Sequence, residues 1–162
     1  MAAGVHCLFV GKCREAALRE ASAVYIHKLS RLMHCDTLLV KDASSALPPR
    51  EKNQREGRDI LAALDKLGPA CVVVALDERG EMWSSRELAA RIKGWLDAAR
   101  QPCFLVGGAY GLSDEVRERA KASGALFSLG RITLPHELAR VVLLEQLYRA
   151  ASINKGLPYH HD

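Results

Sequence analysis

A chain of 162 residues with 49% hydrophobic content is long enough to enclose a sizeable core, which excludes a disordered polypeptide and leads us to expect one domain over residues 1–162. Its net charge of +4, from 23 basic and 19 acidic residues, suits a polyanionic partner without requiring one. Five cysteines, an odd number with no zinc-type spacing, exclude a disulfide framework and a structural metal site and read instead as small core residues in a reducing compartment.

The first apolar run, residues 5–10, is too short for a signal-peptide core. No run in the chain reaches the length of a membrane span, so a cytoplasmic protein with no membrane association is expected. Strands are predicted at residues 6–11, 37–41, 70–76, 103–107 and 127–134, and helices near 14–33, 50–67, 85–99, 113–123 and 135–153. Val72-Val73-Val74 is the clearest of several unbroken β-branched or apolar runs, the pattern of strands covered on both faces. Ser84 followed three residues later by Glu87 has the spacing of a capping box, and Ser113 before Asp114 and Glu115 is a second N-cap. The alternation predicts an α/β fold, a parallel sheet with helices on both faces, in which ligands gather at the carboxyl ends of strands.

Three strand ends carry the candidate chemistry: Leu76-Asp77-Glu78-Arg79-Gly80, Gly107-Gly108-Ala109-Tyr110-Gly111, and Gly130-Arg131-Ile132-Thr133-Leu134-Pro135-His136. Two glycines after a buried strand, with a third three residues on, let backbone approach a ligand closely, although the same pattern serves a tight strand-to-helix turn. The spacing is neither a dinucleotide fingerprint nor a nucleoside-triphosphate loop. Arg50, Lys52, Arg55 and Arg58, interleaved with Glu51 and Glu56, read as a solvated helix face.

Taken in order with Leu147-Tyr148-Arg149-Ala150 and Pro158-Tyr159-His160, these segments closely resemble the RlmH family of the SPOUT superfamily, methyltransferases that act on a pseudouridine of 23S ribosomal RNA. The resemblance runs from Phe9-Val10-Gly11-Lys12 to the terminal Tyr-His. It is most specific at Thr133-Leu134-Pro135-His136, Arg140-Val141-Val142-Leu143 and Glu145-Gln146-Leu147-Tyr148-Arg149-Ala150.

The resemblance implies a C-terminal deep trefoil knot, a rare exception to unknotted chains, and S-adenosylmethionine as cofactor. By matching position, the cofactor pocket would be made by Leu76, by Gly107 and Gly108, and by the run Gly130, Arg131, Ile132, Thr133, Leu134 and Pro135. The implied reaction is methyl transfer to N3 of pseudouridine in the assembled ribosome. His136, His160 or a water held by one of them would take the N3 proton, with Tyr159 beside His160 in the catalytic set. His136 also reads as a first-turn helix residue that fixes the preceding loop. Arg140 and Arg149 would bind the RNA substrate, Arg149 having a salt bridge or subunit contact as its other reading. The implied assembly is a homodimer, which the apolar Val141, Val142, Leu144 and Leu147 of the last helix support. Family members tend to finish with a basic residue after Tyr-His, whereas this chain ends His161-Asp162.

Overall fold

The computed structural model describes residues 4–162. The apolar runs form five parallel strands, β1 (Gly4–Val10), β2 (His34–Val40), β3 (Cys71–Met82), β4 (Gln101–Val106) and β5 (Ala125–Ser128), in the order β2-β1-β4-β3-β5. Five helices alternate with them: α1 (Ala16–Ser30), α2 (Pro49–Lys66), α3 (Ser85–Asp97), α4 (Asp114–Ser123) and α5 (His136–Asn154).

The strand runs are unbroken because both faces are covered. Val72 and Val74 point with Phe104 into a core closed by Leu29 of α1, Ile92 of α3 and Leu147 of α5. Val73 and Ala75 point the other way, against Ile60 and Leu64 of α2 and Val116 of α4. Each such fully buried aliphatic side chain contributes about 1.5–3 kcal/mol. The steps β1 to β2 and β3 to β4 run toward the β2 edge with α1 and α3 on one face. The steps β2 to β3 and β4 to β5 run the opposite way with α2 and α4 on the other face, so all four crossovers share one hand. Strand order reverses direction inside the sheet, which opens a crevice at the carboxyl ends.

Three departures from the expected elements have physical causes. β2 begins at His34 rather than residue 37, because it is an edge strand paired only with β1 and its polar His34 and Asp36 face solvent. β3 continues past Leu76 to Met82 through a break in register: Leu76 and Glu81 both align with Phe127, so residues 77–80 loop out of the sheet. The last strand ends at Ser128, and residues 129–135, of which 129–134 were expected as strand, form an irregular loop. Its Leu129, Ile132 and Leu134 mimic a strand pattern but line a cleft.

Cys7, Cys71 and Cys103 are buried in the core as expected. The capping box also forms: the Glu87 N–H donates to Ser84 Oγ at 3.2 Å and the Ser84 N–H to Glu87 Oε2 at 2.6 Å. Ser84→Ala is expected to cost about 1 kcal/mol. Thermal melting should then move down by roughly 2–4 °C.

Candidate active site

The carboxyl ends of β3, β4 and β5 bound one cleft of about 760 Å³, within the range of small-molecule sites. Leu76, Val106 and Phe127 form its inner wall, the turn 107–112 its floor, and the loop 129–135 with His136 its outer lip. The walls are apolar where the sheet ends and polar at the looped-out Asp77 and Glu78. Asp77 is not a free anion: Arg117 Nε donates to its Oδ2 at 2.6 Å and the Arg79 N–H to its Oδ1 at 2.9 Å. That pair neutralises one end of the cleft.

The glycine turn is held from two sides. The Gly111 N–H donates to the Gly108 carbonyl at 3.0 Å, closing the turn, and Gly111 has φ +74°, a left-handed backbone that favours glycine. Asn53 Nδ2 of α2 donates to the carbonyls of Tyr110 and Gly111 at 3.3 and 3.1 Å. Ser113 Oγ then accepts from the Val116 N–H at 3.4 Å and starts α4, as its N-cap spacing foretold. Behind the turn, Lys52 and Glu56 are 5% and 2% exposed, so the solvated face expected of α2 is corrected at these two positions. Lys52 Nζ lies 3.0 Å from Glu56 Oε1, donates to the Ala43 carbonyl at 2.6 Å, and pairs with Asp42. Each charge is buried because it has a partner.

Of the residues expected at a cofactor, Leu76, Gly107, Gly108, Gly130, Ile132, Thr133, Leu134 and Pro135 all line the cleft. Arg131 does not line it, and its side chain is exposed. His136 lines it at the start of α5. Ordering by sequence missed Phe127, Leu129 and Ala139, whose apolar character was assigned to strand and core, and Arg117, which sits mid-helix with no motif around it.

Arg140 departs most from expectation. Expected to grip RNA, it is 3% exposed, donates through Nη2 to the Val10 carbonyl, and lies 5.0 Å from the Phe9 ring centre. In this structure it ties α5 to the end of β1 and is not available to a phosphate. Arg149 lies away from the cleft, in a cluster with the chain's end. Its Nε donates to Glu145 Oε1 at 3.1 Å, its Nη1 is 3.3 Å from His160 Nδ1, and its guanidinium lies 4.7 Å from the Tyr159 ring centre. Tyr159 donates its hydroxyl to Glu145 Oε1 at 3.0 Å, and burial with that carboxylate pushes its phenol well above the usual range. The three expected catalytic side chains therefore divide, His136 in the cleft and Tyr159 with His160 against Glu145 and Arg149 of α5.

Burial first, then the Arg140 charge, holds the His136 imidazole below its ordinary value of 6.5, while Glu137, Asp42 and Glu56 oppose the shift. A depressed folded-state value means that the unfolded chain takes up the proton first. The contribution of His136 to stability is thus complete above pH 6.5 and lost as pH falls toward the folded-state value. Denaturant titrations from pH 7.5 to 5 should show a stability loss that is smaller in His136→Gln than in the unaltered chain.

A cleft at the switch of strand order in a parallel sheet, floored by a glycine turn, defines an α/β protein with its cleft where proteins of this architecture bind small ligands. Residues 4–160 match the family described as "Predicted SPOUT methyltransferase", and the chain belongs to that family. It is 45% identical over 155 residues to "Ribosomal RNA large subunit methyltransferase H" of Maridesulfovibrio salexigens, covering 95% of this chain and 96% of that protein. Among solved structures, a "Probable Methyltransferase" from Bordetella pertussis superposes with a TM-score of 0.56 at 16% identity, over 92% of this chain and 95% of that one. A methyltransferase from Legionella pneumophila solved with bound S-adenosylmethionine superposes with a TM-score of 0.50, also at 16% identity, over 92% of this chain and 67% of that one. Both likenesses concern the fold.

Proposed function

We propose that the chain is an S-adenosylmethionine-dependent methyltransferase that acts on N3 of a pseudouridine in 23S ribosomal RNA of the assembled ribosome. The observation that carries this reading is the convergence of Leu76, Gly108 and the run 132–135 on one cleft, in a chain 45% identical to a large-subunit rRNA methyltransferase.

The residues present fit the cofactor. Residues 130–134 lie outside helix and strand, so their amides and carbonyls can meet an adenine edge, while Leu76, Ile132 and Leu134 offer apolar walls to the ring faces. When bound, the sulfonium supplies an already activated methyl group, leaving the protein to align the nucleophile and remove a proton. His136 accepts the N3 proton directly or through a water, a role supported by its position at the cleft and by burial, which holds its imidazole below the ordinary value. Tyr159, His160 and Arg149 form the second catalytic and substrate-binding group, and the Arg140 charge one turn along α5 disfavours protonation of His136.

None of residues 157–162 lines the cleft of its own chain. We therefore place the tail of one subunit at the cleft of another in a homodimer. Half-buried Val141 and Val142 on α5 support that contact, whereas Leu144 and Leu147 are fully buried in the core. The same reading carries a single domain, a cytoplasmic location and a C-terminal trefoil knot. For the knot, the support is limited to the place of α5, which follows the loop 129–135 and packs beside α1 and α3 on the face opposite α4. No metal is required, and among the described residues no group of acidic, histidine and cysteine side chains is arranged to hold one. No described helix is long and apolar enough to cross a membrane.

Calorimetry with S-adenosylmethionine in the presence of a chelator, followed by mass spectrometry of rRNA from treated ribosomes, tests the reading. Metal-free binding and one added methyl group on a 23S pseudouridine are expected. Absence of binding would leave a factor that kept the fold without the chemistry, and methylation of another RNA would point to a different specificity.

A further inference from the structure

The buried charge cluster behind the glycine turn contains one atom whose bonding is incomplete. Glu56 Oε1 accepts from the Ala43 N–H at 3.2 Å and lies 3.0 Å from Lys52 Nζ, but Glu56 Oε2 is fully buried and has no hydrogen-bond partner. It faces Gly108. A Cβ at position 108 would lie 2.7 Å from Oε2 and 3.3 Å from both Glu56 Cδ and Val10 Cγ1. Gly108 is not among the glycines with positive φ, so its backbone would admit alanine. What forbids a side chain there is the carboxylate behind the turn.

Resting on the cofactor reading above, we propose that Glu56 is a positioning residue for cofactor binding: its carboxylate, anchored by Lys52 and the Ala43 amide, props Gly108 and sets the height of the cleft floor. The prop is rigid because both ends are fixed. Lys52 is itself held by Asp42 and the Ala43 carbonyl, which belong to the segment after β2, while Gly108 continues β4. The cluster thus transmits the spacing between two strand ends to a surface that the cofactor must touch. A buried carboxylate with an unfilled acceptor is costly to keep, and its retention next to the floor of a binding cleft is explained if it orders the turn.

The test is a double-mutant cycle with Gly108→Ala, Glu56→Asp and the two together, read by calorimetry with S-adenosylmethionine and by thermal melting. Each single change is expected to weaken binding about tenfold, the alanine by collision and the aspartate by withdrawing the prop by one methylene. In the double variant the retracted carboxylate makes room for the new methyl group, and affinity should return to within about threefold of the unaltered chain. In Glu56→Asp the loss should fall on the KM for cofactor more than on the maximal methylation rate, because the prop acts on the floor and not on the proton acceptor. Independent losses that multiply to about a hundredfold in the double variant would overturn the proposal. Should Gly108→Ala fail to fold, recovery of a cooperative melt in the double variant carries the same meaning, and failure to recover overturns it. If the unaltered chain binds no S-adenosylmethionine, the functional reading falls alone, because suppression of the Gly108→Ala melting defect by Glu56→Asp still decides whether the prop exists.

Discussion

Removal of residues 157–162 is expected to leave a folded protein that binds S-adenosylmethionine within several-fold of the full chain yet methylates ribosomes at least about a hundredfold more slowly. The tail adds little to the core: Leu157 is exposed, and Tyr159 and His160 are half-buried on α5. What it does is complete a cluster. The Tyr159 ring sits 4.6 Å from that of Tyr148 in an edge-on arrangement, its hydroxyl reaches Glu145, and the terminal Asp162 accepts from Arg86 Nε at 2.9 Å. The Arg86 to Asp162 pair is exposed on both sides and so holds the tail's end only lightly. Segments held lightly beside a polar cluster are suited to rearrange when a large substrate docks. Calorimetry and single-turnover methylation on the truncated chain separate the outcomes. Normal turnover would strike Tyr159 and His160 from the site, and loss of cofactor binding would assign the tail to the adenosylmethionine pocket.

A second large effect is expected on the substrate side. Ribosomes carrying pseudouridine at the target should be methylated at least about a hundredfold faster than ribosomes carrying uridine there, because a site built to pair an additional ring N–H leaves its own polar groups unpaired when that N–H is missing. Thr133 and His136 offer polar side chains at the cleft lip and Glu78 at the opposite wall, whereas Asp77 is already satisfied by Arg117. Mass spectrometry of digested rRNA, with ribosomes from cells lacking the pseudouridine synthase, reads the ratio directly. Equal rates would remove base identity from the recognition and favour a methyltransferase of other specificity.

Much of this architecture was legible because local and global signals agree. Val72-Val73-Val74 reads as a strand covered on both sides and Ser84 with Glu87 as a helix start, so the beginnings of β3 and α3 were placed to within a residue, whereas β3 runs six residues beyond its expected end. The residues lining the cleft were found through a family motif, since backbone that contacts a ligand leaves no trace in side-chain periodicity. Misreadings fell where burial is achieved by partners distant in sequence. Lys52 and Glu56 look solvated along α2, and only the arrival of Asp42 and Ala43 from the end of β2 makes their burial tolerable. Arg140 was assigned to substrate because it lies one turn after His136, but the Val10 carbonyl, 130 residues away, claims its guanidinium. Residues 129–134 were assigned to a strand because apolar side chains turned toward a cleft resemble apolar side chains turned toward a core.

β5 is four residues long and hydrogen-bonded to β3 alone, at the edge of the sheet, yet Phe127 and Ser128 at its end form part of the cleft wall. A ligand that needs this wall closed binds the closed form only, and by mass action stabilises it by about 2.7 kcal/mol at a concentration one hundred times its dissociation constant. One edge of the sheet is thereby tied to occupancy: a strand with a single hydrogen-bonded neighbour gains from a held ligand the support that a second strand would give.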